Sequence, residues 1–181
     1  MILRRHTVGL LAAAACVSYV AATAAPAKAL QVPISQIHAL AQTFEPGVYL
    51  PTAFPRSITK VDVGAASGIG NGPAPAHFLE YFAGSRSAFQ LGIWRGSKAA
   101  AVVKGLLFHD GSHATKRAFI AGRFRGTLEI QNGVASSPVS VASYVWQGGG
   151  YTYMLAVLTS KSGVPKFPGL KPLAVIASFK V

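Results

Sequence analysis

The sequence predicts an α+β fold: a curved antiparallel β-sheet with a short N-terminal helix and a C-terminal helix packed against it. Three observations predict it. From His77 to Ser160 apolar and polar residues alternate mostly with a period of two, which is strand spacing. Short glycine-containing links interrupt that stretch at hairpin intervals, as at Gly84 and Gly148–Gly150. On either side, Ile34, Ile37 and Ala41, and then Leu173, Ile176 and Ala177, fall three and four residues apart, a spacing that lines one helical face.

The chain opens MILRRHTVGLLAAAACVSYVAATAAPAKAL. Arg4 and Arg5 precede an apolar stretch from Val8 to Ala25, and Ala27-Lys28-Ala29 forms a small-x-small site. That layout is expected of a secretory signal peptide over residues 1–29, cleaved after Ala29, followed by one exported α+β domain over residues 30–181. The apolar part is rich in Ala, which suits a cleaved signal better than a permanent span. Cys16 is poorly placed for lipidation, because apolar residues continue to Val20 and Ala13 stands where a larger aliphatic is usual. It is the sole cysteine, so cleavage leaves no disulfide and no thiol chemistry.

Of the chain's 17 Lys and Arg, 14 fall in residues 30–181 together with all 5 Asp and Glu, leaving a formal charge of about +9 there. A domain of roughly 150 residues buries close to 70% of its unfolded surface and needs no staple. The positive balance draws anionic surfaces such as lipid headgroups or acidic envelope polymers. Nucleic acid is not an expected partner for an exported protein, and no basic run reaches five residues.

In chain order, Pro33–Gln42 reads as a short amphipathic helix with Pro33 suited to its first turn and Ile34, Ile37, Leu40 and Ala41 on one face. Residues 44–55 carry three prolines, which withhold amide donors and fix φ, so an irregular crossing or edge strand is expected. Residues 59–63, TKVDV, suggest a strand with Val61 and Val63 together. GAASGIGNGPAPA, 64–76, is low in complexity; Pro73 and Pro75 replace the helix start that a phosphate-cradling glycine loop requires. HFLEYFAG and SAFQLGIWRG read as paired strands, with Phe89, Leu91 and Ile93 on one face. KAAAVVKGLLFH, 98–109, is ambiguous between strand and helix, since alanine favours one and paired β-branched residues the other. RAFIAGRFRGTLEI, 117–130, reads as one half-buried strand: Ile120, Phe124, Leu128 and Ile130 inward, Arg123 and Arg125 outward, glycines marking a bend. SPVSVASYVW and YTYMLAVLTS flank Gln147-Gly-Gly-Gly150, which with no helix after it is a hairpin turn. YMLAVL is apolar on both faces, as a strand covered on both sides would be. LKPLAVIASFKV suggests a closing helix with Leu173, Ile176 and Ala177 inward, or else a final strand.

VYLPTAFP (48–55), HFLEYF (77–82), FIAGRFRGTL (119–128) and YVWQGGGYTYMLAV followed by LAVIASF (144–179) resemble, in that order, a bacterial exported domain of unknown function. That domain is found alone, on membrane-anchored sigma-factor regulators, and on relatives of outer-membrane lipoprotein-sorting proteins. Trp146, Gly148–Gly150, Tyr153 and Ala177-Ser178 stand where the family has its tryptophan strand, glycine turn, tyrosine strand and closing helix. The resemblance implies a curved antiparallel sheet partly wrapped over helical segments, an apolar groove in some relatives, and no catalytic set. The basicity of this chain, and the lack of an anchor other than its signal, depart from the regulators.

Candidate sites are few. His109, Asp110 and His113 in HDGSH form the one metal-like cluster, although Asp-Gly in a turn has backbone reasons of its own. No cofactor is expected. The five acidic residues show no spacing that suggests a hydrolytic carboxylate pair, and no Gly-x-Ser-x-Gly elbow appears between strand and helix, so an enzyme is not expected. Tyr81, Trp94, Tyr144, Trp146 and Tyr153 either fill the core or line a ligand groove, with Arg123 and Arg125 as anion contacts beside it. The function expected is a non-catalytic extracytoplasmic binding or regulatory module for a hydrophobic or anionic partner: a lipid, a peptide or an acidic envelope polymer. The alternatives are a basic structural protein held to the envelope by charge and, third, a hydrolase.

Overall fold

The structure is a computed structural model that describes residues 32–64, 73–106, 114–132 and 139–180. Residues 1–29 and the His109–Asp110–His113 cluster lie outside the described residues. The elements run β1 (Val32–Pro33), α1 (Ile34–Phe44), β2 (Leu50–Pro51), β3 (Lys60–Gly64), β4 (His77–Ala83), β5 (Arg86–Arg95) and α2 (Ala99–Leu106). They continue with β6 (Ala114–Ala121), β7 (Phe124–Gln131), β8 (Ser140–Gly148), β9 (Tyr151–Thr159), α3 (Pro172–Ala177) and β10 (Phe179–Lys180).

Eight strands form one open, curved sheet in the order β1-β3-β4-β5-β9-β8-β7-β6, with every neighbour antiparallel. β10 pairs antiparallel with β2 in a two-stranded ribbon, so the closing segment is a helix and a strand in succession. Two-residue links close the β4–β5, β6–β7 and β8–β9 hairpins. At Gly149-Gly150 φ is +58° and +84°, the paired left-handed values of the turn whose twist suits a right-twisted hairpin.

The stretch 117–130 is a hairpin, which corrects the single strand expected there. Gly122, at φ +58°, turns the chain so that Ala121 sits opposite Phe124. Residues opposite one another share a face, so the three-residue step from 121 to 124 reverses the parity of the first arm. Phe119 and Ala121 therefore point inward beside Phe124, Leu128 and Ile130, whereas Ile120 is turned out and 62% exposed.

One sheet face builds the main core. Tyr81, Phe89, Leu91, Ile93, Tyr153, Leu155 and Trp146 pack there beneath Ile37 of α1, Val48 and Leu50 around β2, Val175 and Ile176 of α3, and Phe179 of β10. The opposite face carries a smaller cluster of Trp94, Val145, Met154 and Ala156 under Val102 of α2. The 98–109 segment thus resolves as helix over Ala99–Leu106, and the two layers explain why the central strands are apolar on both sides. Leu40 of α1 and Leu173 and Ala177 of α3 face outward, contrary to the expected inner faces. α3 has only six residues, and the Ser178 hydroxyl ends it by donating to the Val175 carbonyl at 2.6 Å while accepting the Ala53 amide at 3.0 Å. Among the described residues no helix is long and apolar enough to cross a membrane.

Candidate functional site

The five aromatic candidates are core. Tyr81, Tyr144, Trp146 and Tyr153 belong to the main cluster and Trp94 to the one across the sheet, so they do not line a common groove. Trp146 stacks on Tyr153 at 5.3 Å between centroids and meets Phe179 edge-on at 5.1 Å. Tyr81 stacks on Phe89 at 4.2 Å, and its hydroxyl lies 3.0 Å from His38 Nε2. Burial pushes the Tyr81 hydroxyl well above the usual tyrosine range and lowers His38. The Tyr153 hydroxyl, pushed up to about 12 chiefly by burial, accepts the Tyr49 amide at 2.9 Å. Tyr144 meets Phe119 edge-on at 5.4 Å. Trp94 donates its indole N–H to the Pro73 carbonyl at 2.7 Å, and its ring lies so close over Gly92 that a Cβ there would stand 2.6 Å from it.

Arg123 and Arg125 are also separated, again because the chain turns at Gly122. Arg123 sits in the turn, its guanidinium 4.7 Å from the Tyr49 ring centroid and 5.0 Å from that of Phe124. It donates to the Phe179 carbonyl at 3.2 Å, which fastens the hairpin tip to β10. Arg125 stays exposed on β7, on the sheet face away from the main core.

A second polar constellation is assembled from four distant parts of the chain. Glu45, at the end of α1, is buried at one end of the sheet. Arg95, the last residue of β5, grips both its oxygens: Nε lies 2.9 Å from Oε1 and 3.1 Å from Oε2, and Nη2 also donates to Oε1. The Tyr151 hydroxyl donates to Oε2 at 3.1 Å, and His77 Nε2 lies 3.1 Å from Oε1. Register explains the meeting, since Arg95 is opposite Tyr151 and His77 is opposite Ile93 at the same end of β5. The Arg95 hydrogen bonds, opposed by burial and helped by His77 and Tyr151, hold the Glu45 carboxyl down at about 2. So depressed and so fully bonded, Glu45 is a poor proton acceptor near neutral pH and serves as a clasp between α1 and three strands. Glu45 was not singled out from sequence; the available hint was a lone acid beside Pro46 in an acid-poor chain.

The third constellation lies on the far side of the sheet. Glu129 of β7 is completely buried; its Oε1 accepts from Gln131 Nε2 at 3.1 Å, and Lys116 Nζ of β6 stands 3.6 Å from Oε2. On the same hairpin, Arg117 on the opposite face and Arg125 four residues along β7 are exposed and form no ion pair with a carboxylate among the described residues. Residues 115–118 are all exposed, and no described strand lies beyond β6.

No family model matches the chain, and neither a curated protein nor a solved structure matches it.

Proposed function

We propose that this chain is a non-catalytic, exported binding module that takes an anionic partner on the β6–β7 side of its sheet. One observation carries the proposal: the buried acids Glu45 and Glu129 stand in ion pairs, whereas two exposed arginines of the β6–β7 hairpin do not among the described residues. Glu45 and Glu129 are buried in ion pairs, and Glu80 accepts from Gln90 Nε2 at 3.2 Å. Arg117 and Arg125 project into solvent with no such compensation among the described residues. Surplus exposed charge of one sign raises the local concentration of ligands of the other sign. Packing of the candidate aromatics into the core favours the anionic partner over the apolar one. The amino-terminal signal-like segment and the resemblance to exported domains on sigma-factor regulators support the extracytoplasmic setting.

The test is retention of the purified protein on immobilised poly-glutamate. Retention is expected at about 0.05 M salt and loss by about 0.5 M, as the screening length shrinks from roughly 14 to 4 Å. Failure to bind at low salt, or binding indifferent to salt, would remove the proposal.

A further inference from the structure

We infer that the outer edge of β6 is a docking site for an extended acidic peptide, which joins the sheet as a ninth strand. The inference rests on the anionic-partner proposal and specifies the chemistry and geometry of that partner. β6 is eight residues long and ends the sheet, with no described residue paired to its free side. The turn at Gly122-Arg123 fixes which backbone groups are free. Glycine at φ +58° followed by a residue without positive φ is the two-residue link whose flanking residues, Ala121 and Phe124, exchange both backbone hydrogen bonds. From Ala121 the pattern alternates, so Phe119, Arg117 and Thr115 bond inward to β7. Ile120, Ala118, Lys116 and Ala114 are left presenting amides and carbonyls outward.

Side chains along that edge select the partner. Arg117 points to one face and Lys116 to the other, so an incoming strand meets a cation on each side, and Arg125 stands farther along the Lys116 face, opposite Ile120. Glu129 balances one of these three charges. Ile120, exposed on the Lys116 face, gives the strand an apolar contact four residues along. An antiparallel peptide that fits carries an apolar branched residue opposite Ile120, followed by two acidic residues opposite Arg117 and Lys116. A second copy of the chain is the poorer occupant: two β6 edges pairing with each other crowd Lys116 and Arg117 of both into one short ribbon, and cross-strand like charges destabilise. The same charges that repel another copy attract an acidic strand.

The experiment uses the intact protein and dye-labelled octapeptides bearing Thr, one Val and two adjacent Glu, read by fluorescence anisotropy at about 0.05 M salt. Two analogues of identical charge carry backbone N-methyl groups on complementary sets of alternate amides. Strand addition predicts that one analogue binds at least tenfold more weakly than the parent while the other, methylated on its solvent side, binds within about threefold. Arg117→Gln is expected to weaken the parent peptide about three- to tenfold, and Ala118→Pro at least tenfold, because it removes an outward amide donor. Equal binding by all three peptides, or binding of poly-glutamate with none of the octapeptides, overturns strand addition while leaving the anionic-partner proposal standing. Absence of binding to every anionic probe overturns both.

Discussion

Glu45→Gln isolates the clasp at the end of α1. Its carboxyl is held at about 2 against an ordinary value of 4.5, so the folded state favours the ionised form. At about 1.4 kcal/mol for each factor of ten, that difference sets an upper figure of roughly 3 kcal/mol. The Arg95 side chain is 72% exposed, and solvent screening reduces the contribution to about 1–2 kcal/mol. Because the folded value is the depressed one, the stabilisation is fully present above pH 4.5 and is lost as pH falls toward 2. Urea titrations followed by tryptophan fluorescence, at pH 7, 5 and 3, read the effect directly, since Trp94 and Trp146 are both buried. The variant is expected to be less stable than the parent by about 1–2 kcal/mol at pH 7 and 5, and by less than half of that at pH 3. A gap that stays constant across the three pH values, or a variant as stable as the parent at pH 7, would refute the assignment of Glu45 as an ionised clasp.

Three further outcomes test the packing and the processing. Gly126→Ala places a Cβ against the Val145 carbonyl oxygen and 2.9 Å from the Phe119 ring, so a loss of at least about 2 kcal/mol in urea midpoint measurements is expected. Tyr153→Phe strands the Tyr49 amide and is expected to cost about 1–3 kcal/mol. Tyr144→Phe serves as its control: among the described residues no hydrogen bond engages the Tyr144 hydroxyl, and the expected change is under about 0.5 kcal/mol. Intact-mass measurement of protein recovered from its host is expected to give a chain beginning at Leu30, and a full-length mass would contradict cleavage after Ala29.

The sheet was largely legible in the sequence because period-two alternation and glycine links are local signals. Gly149-Gly150 between two aromatic strands is such a signal, and the β8–β9 hairpin forms there. The β6–β7 turn was less legible for a physical reason: Gly122 stands without the Asn or Asp that marks many tight turns, and apolar alternation continues through it. Missing that turn reversed the face of Ile120 and placed Arg123 beside Arg125. Long-range assembly hid the rest. Glu45, His77, Arg95 and Tyr151 share no spacing and meet only because strand register brings three of them to one end of the sheet. Whether Trp94 or Trp146 faced a ligand or the core depended on α2 and on the β2–β10 ribbon, which cover opposite faces. The basic surplus was countable from composition, but the placement of Lys116 and Arg117 on opposite faces of an edge strand depended on the hairpin.

The central claim is that position, and not total charge, recruits the partner. Two double variants of equal net charge distinguish them: Arg117→Gln with Arg125→Gln at the β6–β7 side, and Lys161→Gln with Lys171→Gln, two exposed residues in the segment between β9 and α3. On immobilised poly-glutamate in a salt gradient, the first pair is predicted to elute well ahead of the parent and the second close to it. Elution of both pairs at the same salt concentration would contradict the account.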